Sequence, residues 1–308
     1  MAVSTVKVTL NGSTYNLTYD SSQGAWVANL TAPGSTSYNQ TGGYYDVSIT
    51  ATNDAGTATT VSAATNDSCK LVVKETVKPT ISIISPTSGA YSTNTKQPIV
   101  FTVKDETGGS GINTSTISVK IDGTALTNIT TTAITGGYSV TATPTTALAD
   151  GSHTAVINVS DNDGNAATAQ STTFTVDTVP PVLNVTSPAE GLITATSTVT
   201  VSGTTNDATS TPTTVTVNGS AVTVSSSGAF STTVTLSEGT NTITIIATDA
   251  AGKTTTVKRT VTLNTKVPKI TSVTITPNPA TTGASMVLKV VVTEATTKAA
   301  QDEYSQRN

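Results

Sequence analysis

A single cysteine, Cys69, and a single histidine, His153, are all that this 308-residue chain carries of those two residue types. One cysteine rules out an intrachain disulfide framework, and the two residues lie too far apart in sequence to mark a tetrahedral zinc site. Cys69 therefore reads as a small residue beside the last strand of its unit rather than a reactive thiol. His153 sits in Asp150-Gly151-Ser152-His153, and the corresponding stretches elsewhere in the chain have no histidine. A nucleophile–base pair needs a held imidazole facing a hydroxyl or thiol, so a surface histidine in a loop is the expectation. Aromatic residues make up only 4% of the chain and charged residues 11%, with a formal net charge of −4. No basic stripe offers a footprint for nucleic acid, and no apolar run approaches a membrane span. Neither a phosphate-binding loop nor a nucleophile elbow occurs in its required context. No catalytic, cofactor-binding or metal-binding residue is assigned, no cofactor is expected, and the chain is read as non-enzymatic.

What remains is rich in Thr, Ser, Val, Ala and Gly. Low charge and abundant β-branched residues suit thin β units with small cores rather than disorder. One phrase sets the scale. In Ile243–Lys253, apolar Ile243, Ile245 and Ala247 alternate with other residues and lead into Asp249-Ala250-Ala251-Gly252. Alternation is the period-2 mark of a half-buried strand, and Asp with Gly turns the chain after it. The phrase recurs as Val47, Ile49 and Ala51 before Asn53-Asp54-Ala55-Gly56, and as Ala155, Ile157 and Val159 before Asp161-Asn162-Asp163-Gly164. Recurrence at domain-sized intervals marks an array of one unit.

Other features keep the same order. Asn11-Gly12, Asp122-Gly123 and Asn218-Gly219 each follow an alternating strand, and such pairs fit type I′ hairpin turns with positive φ at both central residues. Trp26, Tyr138 and Phe230 each follow a glycine-bearing turn, and their recurrence points to a core anchor. Tyr38, in the polar loop Gly34–Gly43, has no counterpart and reads as exposed. Pro79, Pro181 and Pro268 stiffen seams spaced roughly as a seven-stranded sandwich requires. No segment before the C-terminal tail keeps a helical period.

The order Ser-Pro-x-x-Gly, an Asn-Gly or Asp-Gly hairpin, and a strand ending Ala-Thr-Asp-Ala-Ala-Gly-Lys resembles tandem bacterial immunoglobulin-like (Big) domains. The resemblance covers residues 77–266 well and 1–76 in part. It implies an all-β fold of immunoglobulin-like β-sandwiches arranged as beads on a string. Such domains serve as spacers in bacterial surface adhesins and as appendages on phage heads and tails.

The expected division is a partial unit at 1–76, full units at 77–178 and 179–266, and a two-stranded partial unit with a polar tail at 267–308. The first unit opens at its Asn11-Gly12 hairpin strand and so lacks the two strands that precede this hairpin in the others. After Pro268, Ile270–Ile275 and Ser285–Thr293 read as two leading strands with nothing after them but Glu294–Asn308. A sandwich lacking two strands leaves an edge and an apolar face uncovered. Residues 268–293 are thus expected to complete the 1–76 unit of a neighbouring copy or to dock on a different partner by strand addition; the alternatives are a truncated chain, or a first unit that is self-sufficient with its own topology.

Calcium is the one ion that the residues raise. Asp105, Glu106, Asp161 and Asp163 carry hard oxygen ligands on loops at one end of their unit, but calcium takes six to eight oxygens and turn formation accounts for the run. Met1–Val8 shows no basic segment followed by an apolar core, so an export signal is not expected. That points to a phage virion component (tail, baseplate or head surface) made in the host cytoplasm, with the stalk of a bacterial cell-surface adhesin as the alternative. Partners would be other virion or surface-assembly subunits, the chain itself, or a host cell-surface glycan, with no nucleic acid and no membrane.

Overall fold

A computed structural model describes residues 2–293, and the tail Glu294–Asn308 lies outside the described residues. By compactness the chain divides into two parts, Met1–Asp177 and Thr178–Asn308. The fold is all-β, built from immunoglobulin-like sandwiches in tandem.

The first part opens with strands β1 (Val3–Leu10), β2 (Ser13–Asn16), β3 (Thr18–Asp20) and β4 (Ala25–Val27). Two single 3-10 turns, at Ser37–Asn39 and Thr41–Gly43, occupy the polar loop before β5 (Tyr45–Asn53), β6 (Ala58–Val61) and β7 (Lys70–Leu71). A sheet runs β2-β1-β5-β6 with β7 on the start of β5, while β3 and β4 form a separate pair. The last strand of the unit, β7, is only two residues long, and β6, which pairs with β5 over Ile49–Thr52, has a Thr-rich sequence with no buried residue.

The second sandwich comprises β8 (Thr80–Ser85), β9 (Ala90–Ser92), β10 (Ile99–Lys104), β11 (Ile112–Ile121), β12 (Thr124–Ala125), β13 (Asn128–Ile134), β14 (Gly137–Thr143), β15 (Gly151–Asp161) and β16 (Gln170–Val176). Its sheets are β13-β14-β10-β8 and β12-β11-β15-β16-β9. The chain crosses between sheets from β8 to β9, and β9 then pairs parallel with β16. Alternation along β15 puts Ala155, Ile157 and Val159 inward, all 0–2% exposed, against Phe101 and Phe174. Each such Ile or Phe contributes about 1.5–3 kcal/mol by leaving water.

The second part holds β17 (Val182–Ser187), β18 (Leu192–Thr194), β19 (Thr198–Asn206), β20 (Thr214–Val217), β21 (Ser220–Val222), β22 (Ala229–Thr235), β23 (Gly239–Thr248) and β24 (Thr254–Leu263). Sheets β17-β19-β22 and β18-β24-β23-β20-β21 repeat the pattern, with Ile243, Ile245 and Ala247 in the core. A final antiparallel pair, β25 (Lys269–Thr276) and β26 (Val287–Thr293), has no buried residue.

The local readings have identifiable causes. Asn11, Asp122 and Asn218 take φ of 49°, 49° and 50°, with the following glycines at 78° to 82°, as type I′ turns demand. In the recurring phrase, Asn53, Asp161 and Asp249 accept through Oδ1 from the backbone N–H four residues on, at Thr57, Asn165 and Lys253. Phe230 is buried, Tyr138 packs against its core, and Trp26 is half-buried with its ring edge-on to Tyr19 at 5.7 Å. Among the described residues no helix is long and apolar enough to cross a membrane.

Candidate functional site

The turn after β15 is where the first two sandwiches meet. Asp161 is buried and spends both oxygens on Asn165, from its backbone N–H and its side-chain amide, each at 2.8 Å. Asp163 faces the first sandwich instead: its Oδ2 accepts from the Thr36 hydroxyl and, at 3.1 Å, from the Glu75 N–H. Asn165 Nδ2 donates to the Glu75 carbonyl at 3.2 Å, and Lys74 Nζ to the Asp163 carbonyl at 3.3 Å. Asn39 Nδ2 reaches the Gly109 carbonyl at 2.6 Å, and the Ser110 N–H donates to Glu75 Oε1. Thr36 and Ser110 are both buried here. A groove of about 410 Å³, lined in part by Thr36, Glu75 and Glu106, opens alongside.

The carboxylates of this joint are short of partners. Asp105 follows β10, and its Oδ2 accepts from the Gly111 N–H at 2.7 Å, but its Oδ1 is buried without a hydrogen bond. Glu75 Oε2 and Glu106 Oε2 are buried and unpaired as well. Glu75, Asp105 and Glu106 present oxygens that lie within 4.8 Å of one another. Burial pushes the Asp105 carboxyl above its ordinary 3.8, the Gly111 N–H pulls it back, and the charges of Glu75, Asp161 and Asp163 raise it further. A β-carbon on Gly109 would stand 2.7 Å from Asp105 Oδ2 and 2.8 Å from the Glu106 carboxyl, so glycine lets the two acids fold over their own loop.

What this arrangement concentrates is negative charge. Three hard oxygens facing one point are a partial set for calcium, which takes six to eight. Buried carboxylates without compensation are costly, and a proton or a cation relieves that cost. Of the four acids that the sequence raised for calcium, Asp105 and Glu106 come together here. Asp161 and Asp163 are committed to the turn and the joint. Glu75 was missed; its sequence neighbourhood marks only a seam, and nothing local says that the seam folds back onto the Gly108–Gly111 loop.

His153 corrects the expectation of a surface loop residue. It lies within β15 and is 8% exposed, packed with its ring 5.6 Å from that of Phe174. The period-2 pattern of the strand extends back to it, so it shares the inward face with Ala155. Cys69 is buried beside β7, and Tyr38 is exposed.

Residues 78–178 match the family model described as bacterial Ig-like domain. Residues 181–265 match that of glucodextranase, domain B. No curated protein matches the chain. Among solved structures, the I-band fragment I67-I69 from titin is 13% identical, covering 84% of this chain and 87% of its own, at a TM-score of 0.43. A tetra-tandem repeat in the extending region of a large adhesion protein is 20% identical, covering 94% and 80%, at 0.33. Fibronectin(III)-like modules of Clostridium thermocellum CbhA are 16% identical, covering 60% and 94%, at 0.37. The chain is a tandem array of immunoglobulin-like β-sandwiches, and its second sandwich matches the bacterial Ig-like domain.

Proposed function

We propose that this chain is a non-enzymatic spacer that holds an adhesion or assembly surface at a set distance, within a virion appendage or a bacterial surface stalk. The observation that carries this reading is the joint between the first two sandwiches. Thr36, Asn39, Lys74, Glu75, Ser110, Asp163 and Asn165 tie the two through polar contacts, four of them half-buried and two exposed. A flexible linker needs none of these bonds; a spacer needs the neighbouring beads held in one orientation. The exposed Tyr38, one residue from the Asn39 anchor, gives the joint an aromatic surface suited to stacking on a sugar of a host cell-surface glycan.

The test is small-angle scattering of the whole chain beside a Thr36→Val/Asn165→Ala variant. A spacer with a fixed joint gives the wild type the narrower distribution of dimensions. Equal distributions for the two proteins would remove the support for a set joint. A glycan array probed with the wild type and with Tyr38→Ala separates adhesion at the joint from spacing alone.

A further inference from the structure

The sandwiches differ in how complete their sheets are. In the second, β14 pairs with β13 on one side and β10 on the other, and β10 pairs onward with β8. In the third, β22 pairs with β19 and β19 with β17. The pair β3–β4 holds the same place in the first sandwich, joined through Thr18↔Val27, Tyr19↔Trp26 and Asp20↔Ala25. Among the described residues, no strand occupies the other edge of β4.

The core beneath shows the effect. Val47, Ile49 and Ala51 on β5 are only half-buried, whereas their counterparts Ala155, Ile157, Val159, Ile243, Ile245 and Ala247 are 0–2% exposed. Trp26 is half-buried and Tyr19 is exposed. Among the described residues the facing sheet holds two strands where the second sandwich has four.

The ribbon β25–β26 is the counterpart of what is missing. Like β8 and β17, β25 is followed at once by proline (Pro86, Pro188 and Pro277) and pairs antiparallel with the next long strand. Its register sets Ile270 opposite Val292, Val273 opposite Val290 and Ile275 opposite Leu288. Directly opposed residues share a face, so one side of the ribbon is six aliphatic side chains, each 42–61% exposed. A bare two-stranded ribbon is marginal in water, and an apolar face of this kind marks an interaction surface.

We propose that the β25–β26 ribbon of one copy completes the first sandwich of a second copy. Strand β26 adds to the open edge of β4, β25 takes the outer place, and the six aliphatic residues cover the Val47-Ile49-Ala51 side. The occupant is a second copy because, among the described residues, the open edge of β4 calls for the same two strands of the repeat that β25 and β26 supply. Strand addition supplies main-chain hydrogen bonds for affinity, and alternate side chains fix the register. The contact joins unlike surfaces, head to tail, so copies chain or close into a ring rather than stop at a two-fold dimer. This goes beyond the spacer reading, which would survive its failure.

Sedimentation velocity of the whole chain across a hundredfold range of concentration tests it. Beside it run a chain ending at residue 266 and a Val273→Lys/Val290→Lys variant, which changes only side chains already exposed. The wild type should form species at integer multiples of the monomer mass, and both altered chains should stay monomeric. Adding the chain ending at 266 should shorten the wild-type oligomers by capping them. Trp26, the only tryptophan, reports on β4, and its emission should shift to the blue as mass rises. A wild type that stays monomeric throughout overturns the proposal. So do oligomers that persist in the lysine variant, or a mass increase that leaves Trp26 emission unchanged.

Discussion

His153 Nδ1 stands 2.6 Å from Asp122 Oδ2, and its Nε2 stands 2.8 Å from the Ala149 carbonyl oxygen. Both ring nitrogens face acceptors, and only the imidazolium can donate to both. Asp122 is the first residue of the Asp122-Gly123 turn and also accepts the Thr154 N–H at 2.8 Å. The pair therefore clips a hairpin turn to the start of β15.

Burial opposes charge on His153, but the bonds to Asp122 and Ala149 and the charge of Asp122 outweigh it, so its pKa lies above 6.5. For Asp122, burial is again the largest influence and is outweighed by Thr154 and His153, which hold its pKa below 3.8. The histidine's contribution is full below pH 6.5 and is lost as pH rises through the raised folded value. The aspartate's is full above pH 3.8 and is lost as pH falls through the lowered one. A His153→Gln variant should thus lose most melting temperature, relative to wild type, between roughly pH 4 and 6.5, and progressively less as pH rises above 6.5. Thermal melts across that range check it; a pH-independent difference would contradict the charged clip. Because the Asp122 side chain is half-exposed, salt should shrink the effect.

The carboxylates at the joint give a second expectation. Asp105 has its pKa raised, so its folded form is disfavoured as pH climbs above 3.8. Asp105→Asn should raise the melting temperature at pH 7 in a chelator and matter less at pH 4. Millimolar calcium should narrow the gap by stabilising the wild type more than the variant, because Glu75, Asp105 and Glu106 present unpaired oxygens together. Calorimetry in chelator and in calcium distinguishes these outcomes.

Gly137 is a steric requirement. A β-carbon there would lie 1.9 Å from the Val103 carbonyl oxygen, which is backbone and cannot swing aside. Gly137→Ala should cost the second sandwich about 1–3 kcal/mol or more, read from denaturant midpoints. At Gly12 the same β-carbon meets nothing within 4 Å, and Gly12→Ala should cost less, chiefly through its φ of 78°.

Equivalent core positions should respond unequally. Ile157→Ala empties a fully enclosed site and should cost about 2–5 kcal/mol. Ile49→Ala, on the half-covered face of β5, should cost less in a dilute monomer. If the ribbon of a second copy covers β5 as proposed, the difference should shrink as concentration rises.

Much of the β framework was legible because it is local. Alternation in Ala155–Val159 and Ile243–Ala247 places the core strands, and Asn-Gly or Asp-Gly places the hairpins, since both depend on neighbours in sequence. The joint was less legible. Asp163 and Asp105 signal turn chemistry and hard oxygens, but their partners Thr36 and Glu75 lie 127 and 88 residues from Asp163. No local pattern encodes such pairings. His153 was misplaced for a related reason: the turn residues Asp150-Gly151 before it mask a strand that starts at Gly151 and is held by Asp122, 31 residues away.

The parallel pairing of β9 with β16, through Phe174↔Ala90, Thr175↔Tyr91 and Val176↔Ser92, bears on load. The third sandwich repeats it between β18 and β24. Each joins a segment near the entry of its sandwich to the strand from which the chain leaves. A pull along the chain draws the two past each other lengthwise, so their cross-links resist together instead of peeling one at a time. Tension on a string of such beads is met first by shear at these short parallel seams, which makes them the places to look for mechanical yield.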